Sequence, residues 1–374
     1  MGLARELRSM GYEVRVLGPC DGPPPASFVS PLGNSLPTAS NGSIAPIAPD
    51  PAAQFRTIRL LRDEDFDVLH LHEPLAPGPT ETALFLHPAP IVATFHAAGV
   101  SYGYRFFQRP LRKLAEAIDH RVVVSKDALE LALARAGSEQ YEVLFNGIEI
   151  PRFRDVEPQP LPPRTIFFCG RHEERKDLGV LLAAFERLPD DVWLLIGSDG
   201  PDTKRLRAQV AGNERIQWLG RLSDFEKRSY LRGAAVFCAP SLRGESFGVV
   251  LIEAMAARVP VVASSLDGYL NVATDEVDAL LGEPGDVDQL AEALRRVLDE
   301  PGLADRLRAA GACRAEHFSM TTLATRYAEI YQELAVDRHP TVSRWSSIRN
   351  RMMGAAFAGR AKHEPAATRS HTPL

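Results

Sequence analysis

Arg164–Leu188 reads RTIFFCGRHEERKDLGVLLAAFERL. A short apolar run, Thr165–Cys169, ends at Gly170, a charged loop carries Arg171 and Lys176, and an apolar stretch follows from Leu178 to Leu188. Strand, loop and helix at this spacing form one arm of a parallel βαβ unit. Outward toward the C-terminus the alternation repeats at Val192–Gly197, Asp202–Ala211, Arg215–Leu219, Asp224–Gly233, Ala235–Ala239, Gly248–Ala257 and Val259–Ala263. Helical stretches near Val287–Asp299, Leu303–His317 and Thr321–Leu334 close it.

Outward toward the N-terminus, PRFRDVEPQPLPPR (Pro151–Arg164) holds five prolines in fourteen residues, a composition that suits a stiff connector. Before it lies a second alternating region. Its strand-like runs are Glu13–Leu17, Asp67–His72, Ile91–Phe95, Arg121–Val124 and Glu142–Phe145, with helical stretches near Gln54–Arg62, Phe106–Ala117 and Lys126–Ala136. Cys20–Pro51, rich in Pro, Ser, Gly and Asn, reads mostly as loop. The expected fold is α/β: two doubly wound Rossmann-like domains facing across a cleft. Residues 1–150 form the first, 151–335 the second, with the last helix free to return to the first. Residues 336–374 form a basic, disordered tail. The chain opens on a helix followed by a strand, GLARELRSMGYEVRVL, so the first βα unit of such a domain is missing. An upstream start is the expectation.

The chain has 374 residues, of which 45% are apolar and 24% charged, which excludes global disorder. Its net charge is −5, with no basic field for nucleic acid, although the tail from Val336 is about +5. Cys20, Cys169, Cys238 and Cys313 are far apart and form no CxxC pair, which suits a reduced cytosolic compartment without a disulfide framework or zinc site. No apolar stretch is long enough to span a membrane.

Three segments carry candidate chemistry. Arg171 and Lys176 at a strand's carboxyl end suit a diphosphate, the guanidinium as a fork and the ammonium as a point charge. The plain alternative is a solvated turn in which both pair with Glu173 and Glu174. SLRGESFGVVLIEAMAA (Ser241–Ala257) places Glu245, Ser246, Phe247 and Gly248 at a helix start, where free N–H groups and the macrodipole favour anions. Glu253, two turns inside that helix, is an acceptor-only group suited to sugar or ribose hydroxyls. His96 ends the buried-type strand of PIVATFH, facing a substrate or bonded in the core. His70 and His72 share a strand face but lack a third ligand at metal spacing, which favours structural roles. Gly197 opens the turn GSDGP, and Leu222, Asp224 and Lys227 follow a strand, framing a base or capping a helix.

The order GRxxxxK, GxxGP, LGxLxD and GESFG-V-LIEAMA, with two Glu eight apart, resembles the retaining glycosyltransferases of family 4, which have the GT-B fold. The likeness runs from about Met1 to Leu334, and DFDVLHLHEPLAP, PIVATFH and CAPSLRGESFG bring it nearest to the branch that mannosylates phosphatidylinositol. The resemblance implies GDP-mannose as donor, the inositol of phosphatidylinositol as acceptor, and peripheral attachment to an anionic membrane surface at the cytosolic face. It also implies catalytic roles for His96, Arg171, Lys176 and Glu245. Arg171 and Lys176 would hold the diphosphate, Glu245, Ser246, Phe247 and Gly248 would meet mannose and phosphates, and Glu253 would take the ribose. Leu222, Asp224 and Lys227 would line the base and Gly197 would approach the donor, with no metal required. Two alternatives are another nucleotide sugar with a soluble acceptor, and an inactive sugar-nucleotide binder. The sequence departs from the family in three places. The first strand and the Gly-Gly loop, which covers the donor phosphates and helps position the acceptor, are absent. On the acceptor side, Ala97–Ser101 lacks a Thr and a Lys, and Ser40 stands for a Tyr. Helix Gln54–Arg62 pairs Arg56, Arg59 and Arg62 with Phe55, Ile58 and Leu61, fitting anionic lipid or, more simply, domain packing.

Overall fold

A computed structural model of the protein describes residues 1–40, 43–96, 108–137, 140–245 and 247–336. The expectations placed on Ala97–Ser101, Ser246 and the tail beyond Val336 lie outside them.

The N-terminal lobe begins with α1 (Gly2–Ser9), β1 (Val16–Pro19), β2 (Val29–Gly33), β3 (Leu36–Ser40), β4 (Ser43–Ile47) and α2 (Pro51–Asp63). It continues with β5 (Leu69–His72), α3 (Pro79–Leu86), β6 (Ile91–Phe95), α4 (Gln108–Ala115), β7 (His120–Val123), α5 (Lys126–Ala136) and β8 (Glu142–Val143). β5 to β8 form a parallel sheet in chain order, while β1 and β2 pair in parallel as a separate sheet. Here the loop expected over Cys20–Pro51 is corrected, since three of these strands fall within it. Leu32 is fully buried where β2 packs on α2, and its carbonyl accepts from Arg56 of that helix, so one apolar anchor fixes β2. β3 and β4 pair antiparallel on either side of an Asn-Gly dipeptide, a strong hairpin signal.

After α6 (Ile150–Arg154) the C-terminal lobe alternates β9 (Thr165–Cys169), α7 (Leu178–Phe185), β10 (Trp193–Gly197), α8 (Thr203–Gln209), β11 (Ile216–Gly220), α9 (Asp224–Gly233) and β12 (Val236–Ala239). Next come α10 (Val249–Ala256), β13 (Val261–Ser264), α11 (Asp267–Leu270) and β14 (Leu280–Gly282), then α12 (Val287–Asp299), α13 (Leu303–Glu316) and α14 (Met320–Val336). The six parallel strands run β11-β10-β9-β12-β13-β14. Their side chains are buried on both faces, Ile166 and Phe168 toward α7 and Phe167 toward α10, which is why the strands read as continuous apolar runs. The order reverses between β9 and β12. In open α/β sheets that switch point opens the crevice where ligands bind, here the loops after β9 and β12.

α14 crosses back to the first lobe. Tyr327 and Ile330 are buried against Val92 and Val122 of β6 and β7. The crossing lies beside the forward one: Ile148 N–H donates to Phe318 O and Met320 N–H to Ile148 O, both at 2.8 Å. Arg5 on α1 grips Glu149 at this junction through two hydrogen bonds of 2.8 and 2.5 Å. That pairing holds the Glu149 carboxyl at about 2, against an ordinary 4.5. A depressed carboxylate contributes stability above its unfolded value and loses it as pH falls through the folded one. Arg5→Ala is therefore expected to cost about 1 kcal/mol at pH 7, the pair being partly exposed. The difference from wild type should vanish between about pH 4.5 and 2 in urea melts followed by circular dichroism.

Candidate active site

Both loops at the switch point are built by short-range features. After β9 the chain makes a 3₁₀ turn, Glu174–Lys176, and Asp177 caps α7 by accepting from Val180 N–H. That turn aims Lys176 back across the sheet. After β12 comes Ser241–Gly248, with Gly248 as the N-terminal cap of α10 at φ +84°. A Cβ at Gly248 would lie 2.8 Å from Val272 Cγ2, so only glycine serves in that position.

The loops meet. Lys176 Nζ donates to Glu245 Oε1 at 2.5 Å, Arg175 donates to the same oxygen at 3.2 Å, and Ser241 Oγ adds a third donor at 3.2 Å. Glu245 is thus a carboxylate fixed by two cations beside the start of α10. Arg175, which the sequence reading passed over, also donates to Gly244 O and pairs with Glu173 at 2.6 Å. Arg171 is exposed and pairs with Glu173 at 3.4 Å, so the plain alternative describes its ion pair, while Lys176 belongs to Glu245.

Arg171 lines a cavity of about 1320 Å³ with Cys169, Ser198, Asp199, Leu222 and Lys227. Lys204, Arg207 and Arg221 lie on the same wall, so five cations and one carboxylate, Asp199, face the space. Such a balance attracts a polyanion. Lys227 forms an ion pair with Glu253 of α10, which joins two of the expected ligand groups across α9 and α10. Asp224 occupies the exposed first turn of α9 and is not part of this lining. Gly197 ends β10 below Leu222; a Cβ there would lie 2.9 Å from Leu222 Cδ1.

His172, which sequence reasoning missed, ties the diphosphate loop to the GSDGP turn. It is wholly buried, with Nδ1 2.8 Å from Thr203 Oγ1 and Nε2 3.3 Å from Gly197 O. Its backbone N–H donates to Asp199 O at 3.2 Å, and its carbonyl accepts from Asp202 N–H at 3.0 Å. Burial lowers the affinity of the imidazole for a proton. Alternation of apolar and polar residues gives no hint of this role; only the Gly-Pro turn facing the loop does.

Phe247 is a core side chain. It is buried, with its ring stacked on Phe145 at 5.5 Å and edge-on to Phe318 at 5.7 Å, so only its backbone is free to serve a ligand. Through that stack the donor-side loop touches the first lobe. Asn146, next to Phe145, hydrogen-bonds the ring of His96, so His96 lies on the side of the first lobe that the Phe145–Phe247 stack joins to the second. Among the described residues, no group of three or more His, Cys, Asp or Glu side chains is placed to hold a metal ion.

Comparison with known proteins bears on the family and the fold. Residues 1–152 match the model of Glycosyltransferase Family 4, and residues 149–314 that of Glycosyl transferases group 1. Phosphatidyl-myo-inositol mannosyltransferase of Mycobacterium leprae is 40% identical over 346 residues, covering 89% of this chain and 91% of its own. The protein of the same name from Mycobacterium tuberculosis H37Rv is 37% identical over 349 residues, with coverages of 89% and 91%. A glycosyltransferase from Rickettsia africae superposes with a TM-score of 0.69 at 17% identity, over 90% of this chain and 94% of that one. Anabaena HepE in complex with UDP gives 0.66 at 19% identity, over 89% and 96%. These two solved structures share the fold. Two Rossmann-like lobes, the second of them opening on a cation-lined cavity, together with these matches make the chain a hexosyltransferase of GT-B architecture. Within that class, the chain belongs to the phosphatidyl-myo-inositol mannosyltransferase family.

Proposed function

We propose that this enzyme transfers mannose, with retention, from GDP-mannose to the inositol of phosphatidylinositol or of a mannosylated phosphoinositide. The observation that carries the reading is the convergence of Lys176, Arg175 and Glu245 at the start of α10, beside the cavity that Arg171 and Lys227 line. In this reading the diphosphate lies between Arg171, Lys176 and the free N–H groups of α10, which stabilise charge as the mannose C1–O bond breaks. Glu245 meets the mannose hydroxyls, and in doing so exchanges its contact with Lys176 for sugar while the phosphate takes the ammonium. The acceptor hydroxyl attacks the same face that the diphosphate leaves, and its proton passes to the departing phosphate oxygen. His96 stands on the acceptor side.

The ribose falls to Glu253, with Leu222 and Lys227 around the base. Lys227 holds the Glu253 carboxylate before the donor arrives. Glu253→Gln is expected to raise the donor KM about 10-fold with kcat changed less than about threefold, because the contact is equal in ground and transition states. Initial rates over a range of donor concentrations measure it.

A peripheral membrane position is part of the proposal. α2 buries Ala53, Thr57 and Leu61 against the lobe and exposes Phe55, Arg59 and Arg62. Arg56 is occupied elsewhere, donating to Leu32 O at 2.6 Å. Among the described residues, no helix is long and apolar enough to cross a membrane.

Radiolabelled donors and acceptors test the whole reading. GDP-mannose with phosphatidylinositol vesicles is expected to yield a mannolipid, whereas UDP-glucose is not. Transfer from another nucleotide sugar to a soluble acceptor, with none from GDP-mannose to the lipid, would overturn it.

A further inference from the structure

On the first lobe, a line of side chains in hydrogen-bond and ring contact runs from α14 to the end of β6, outside everything assigned to the donor. Tyr331 O–H lies 2.6 Å from His70 Nδ1, His70 Nε2 lies 2.8 Å from Thr94 Oγ1, and Thr94 Oγ1 lies 2.8 Å from Tyr327 O–H. His72, on the same face of β5 two residues on, has its ring centroid 4.4 Å from that of His70. Its Nδ1 is 2.8 Å from His96 Nε2. Behind His96, the Glu73 carboxylate accepts the His96 backbone N–H at 2.6 Å.

A contact of 2.8 Å between two imidazole nitrogens holds one proton. One ring donates and the other accepts, so the shared bond ties the tautomer of His96 to that of His72. Burial pushes the proton affinity of His70, His72 and His96 down, so the pair is neutral at ordinary pH. His72 is exposed on one side and backed by the ring of His70 on the other, and His70 is itself pinned at both nitrogens. An imidazole so supported cannot rotate freely about its side-chain torsion.

We propose that His72 is a positioning residue that fixes the ring orientation and tautomer of His96, so that His96 meets the acceptor hydroxyl with one set polarity. The inference rests on the reading of His96 as an acceptor-side group. It extends the acceptor site from the end of β6 to the end of β5, and through His70 and Thr94 to Tyr331 and Tyr327 of α14. The returning helix thus becomes part of what holds the acceptor.

The test compares variants of the full chain. His72→Phe keeps the ring and removes the nitrogen; kcat with GDP-mannose and phosphatidylinositol vesicles should fall about 10- to 100-fold. The Kd for GDP should stay within about twofold, since the donor site is on the other lobe. His72→Asn places an amide atom where Nδ1 stood, and should restore kcat to within about fivefold of wild type. His72→Gln, which reaches past that point, should not, and it serves as the loss variant if the Phe substitution lowers the thermal midpoint. Nitrogen-15 spectra of labelled histidine should show one tautomer for His96 in wild type and in His72→Asn, and an averaged pattern in His72→Phe. If His72→Phe turns over within twofold of wild type while His96→Phe loses transfer, the positioning role is wrong and the acceptor-side assignment of His96 stands. If His72→Asn is as slow as His72→Phe, the role is also wrong, because the contact that matters is not Nδ1. If His96→Phe keeps full transfer, the acceptor-side reading fails and the inference fails with it.

Discussion

Lys176→Ala lowers transfer from GDP-mannose by about 10²- to 10³-fold, the usual loss when one preorganised donor to a developing anion is removed. Lys176 is mostly buried and already aimed by its contact with Glu245, so its charge is in place before the donor binds. An oriented cation in a partly closed cleft requires no rearrangement as the leaving group gains charge, and water replaces it poorly. Folding should survive the change. Glu245 keeps Arg175 and Ser241 as partners, so the carboxylate is not stranded without a donor. The thermal midpoint is expected within a few degrees of wild type, with the loss concentrated in kcat. Turnover within tenfold of wild type would take Lys176 out of the leaving-group site.

The second large effect is expected at Gly200, in the turn after β10. A Cβ there would lie 2.4 Å from His172 O and 2.7 Å from His172 N, both backbone atoms that cannot swing aside. Gly200→Val must therefore part the GSDGP turn from the Arg171 loop. Moving the Arg171 loop removes a charge-assisted contact to the diphosphate, worth about 1.5–3 kcal/mol, so the Kd for GDP should rise about 10- to 100-fold. Isothermal titration with GDP measures it. Full affinity in a folded Gly200→Val protein would mean that the His172 stitch is not what shapes this cavity.

The C-terminal lobe was legible because its strands are buried on both faces. Runs such as Thr165–Cys169 and Val192–Gly197 have no competing reading, and the glycines and charged loops that end them mark the ligand side. Lys176 and Glu245 were legible as candidate ligand groups for the same reason. Their direct contact was not, since it joins loops about seventy residues apart that only the order of β9 and β12 brings together. The first lobe was harder to read. β2, β3 and β4 hide in a stretch rich in proline and serine, where composition argues for loop and one buried leucine, Leu32, decides otherwise. His172 was invisible because a histidine among charges reads as surface, whereas its burial comes from Gly200 leaving room for it. His72 was seen as one half of a pair with His70; its contact with His96 depends on the register of β5 on β6, in which His72 lies opposite Thr94.

Two strands of polypeptide pass between the lobes side by side, locked by the reciprocal bonds of Ile148 with Phe318 and Met320. A single tether would let one lobe swivel about its own length. A paired tether stiffens against torsion and leaves bending as the soft motion, so opening and closing follow one arc. An arc of that kind would return a lipid-side hydroxyl to the same spot above the sugar at every cycle.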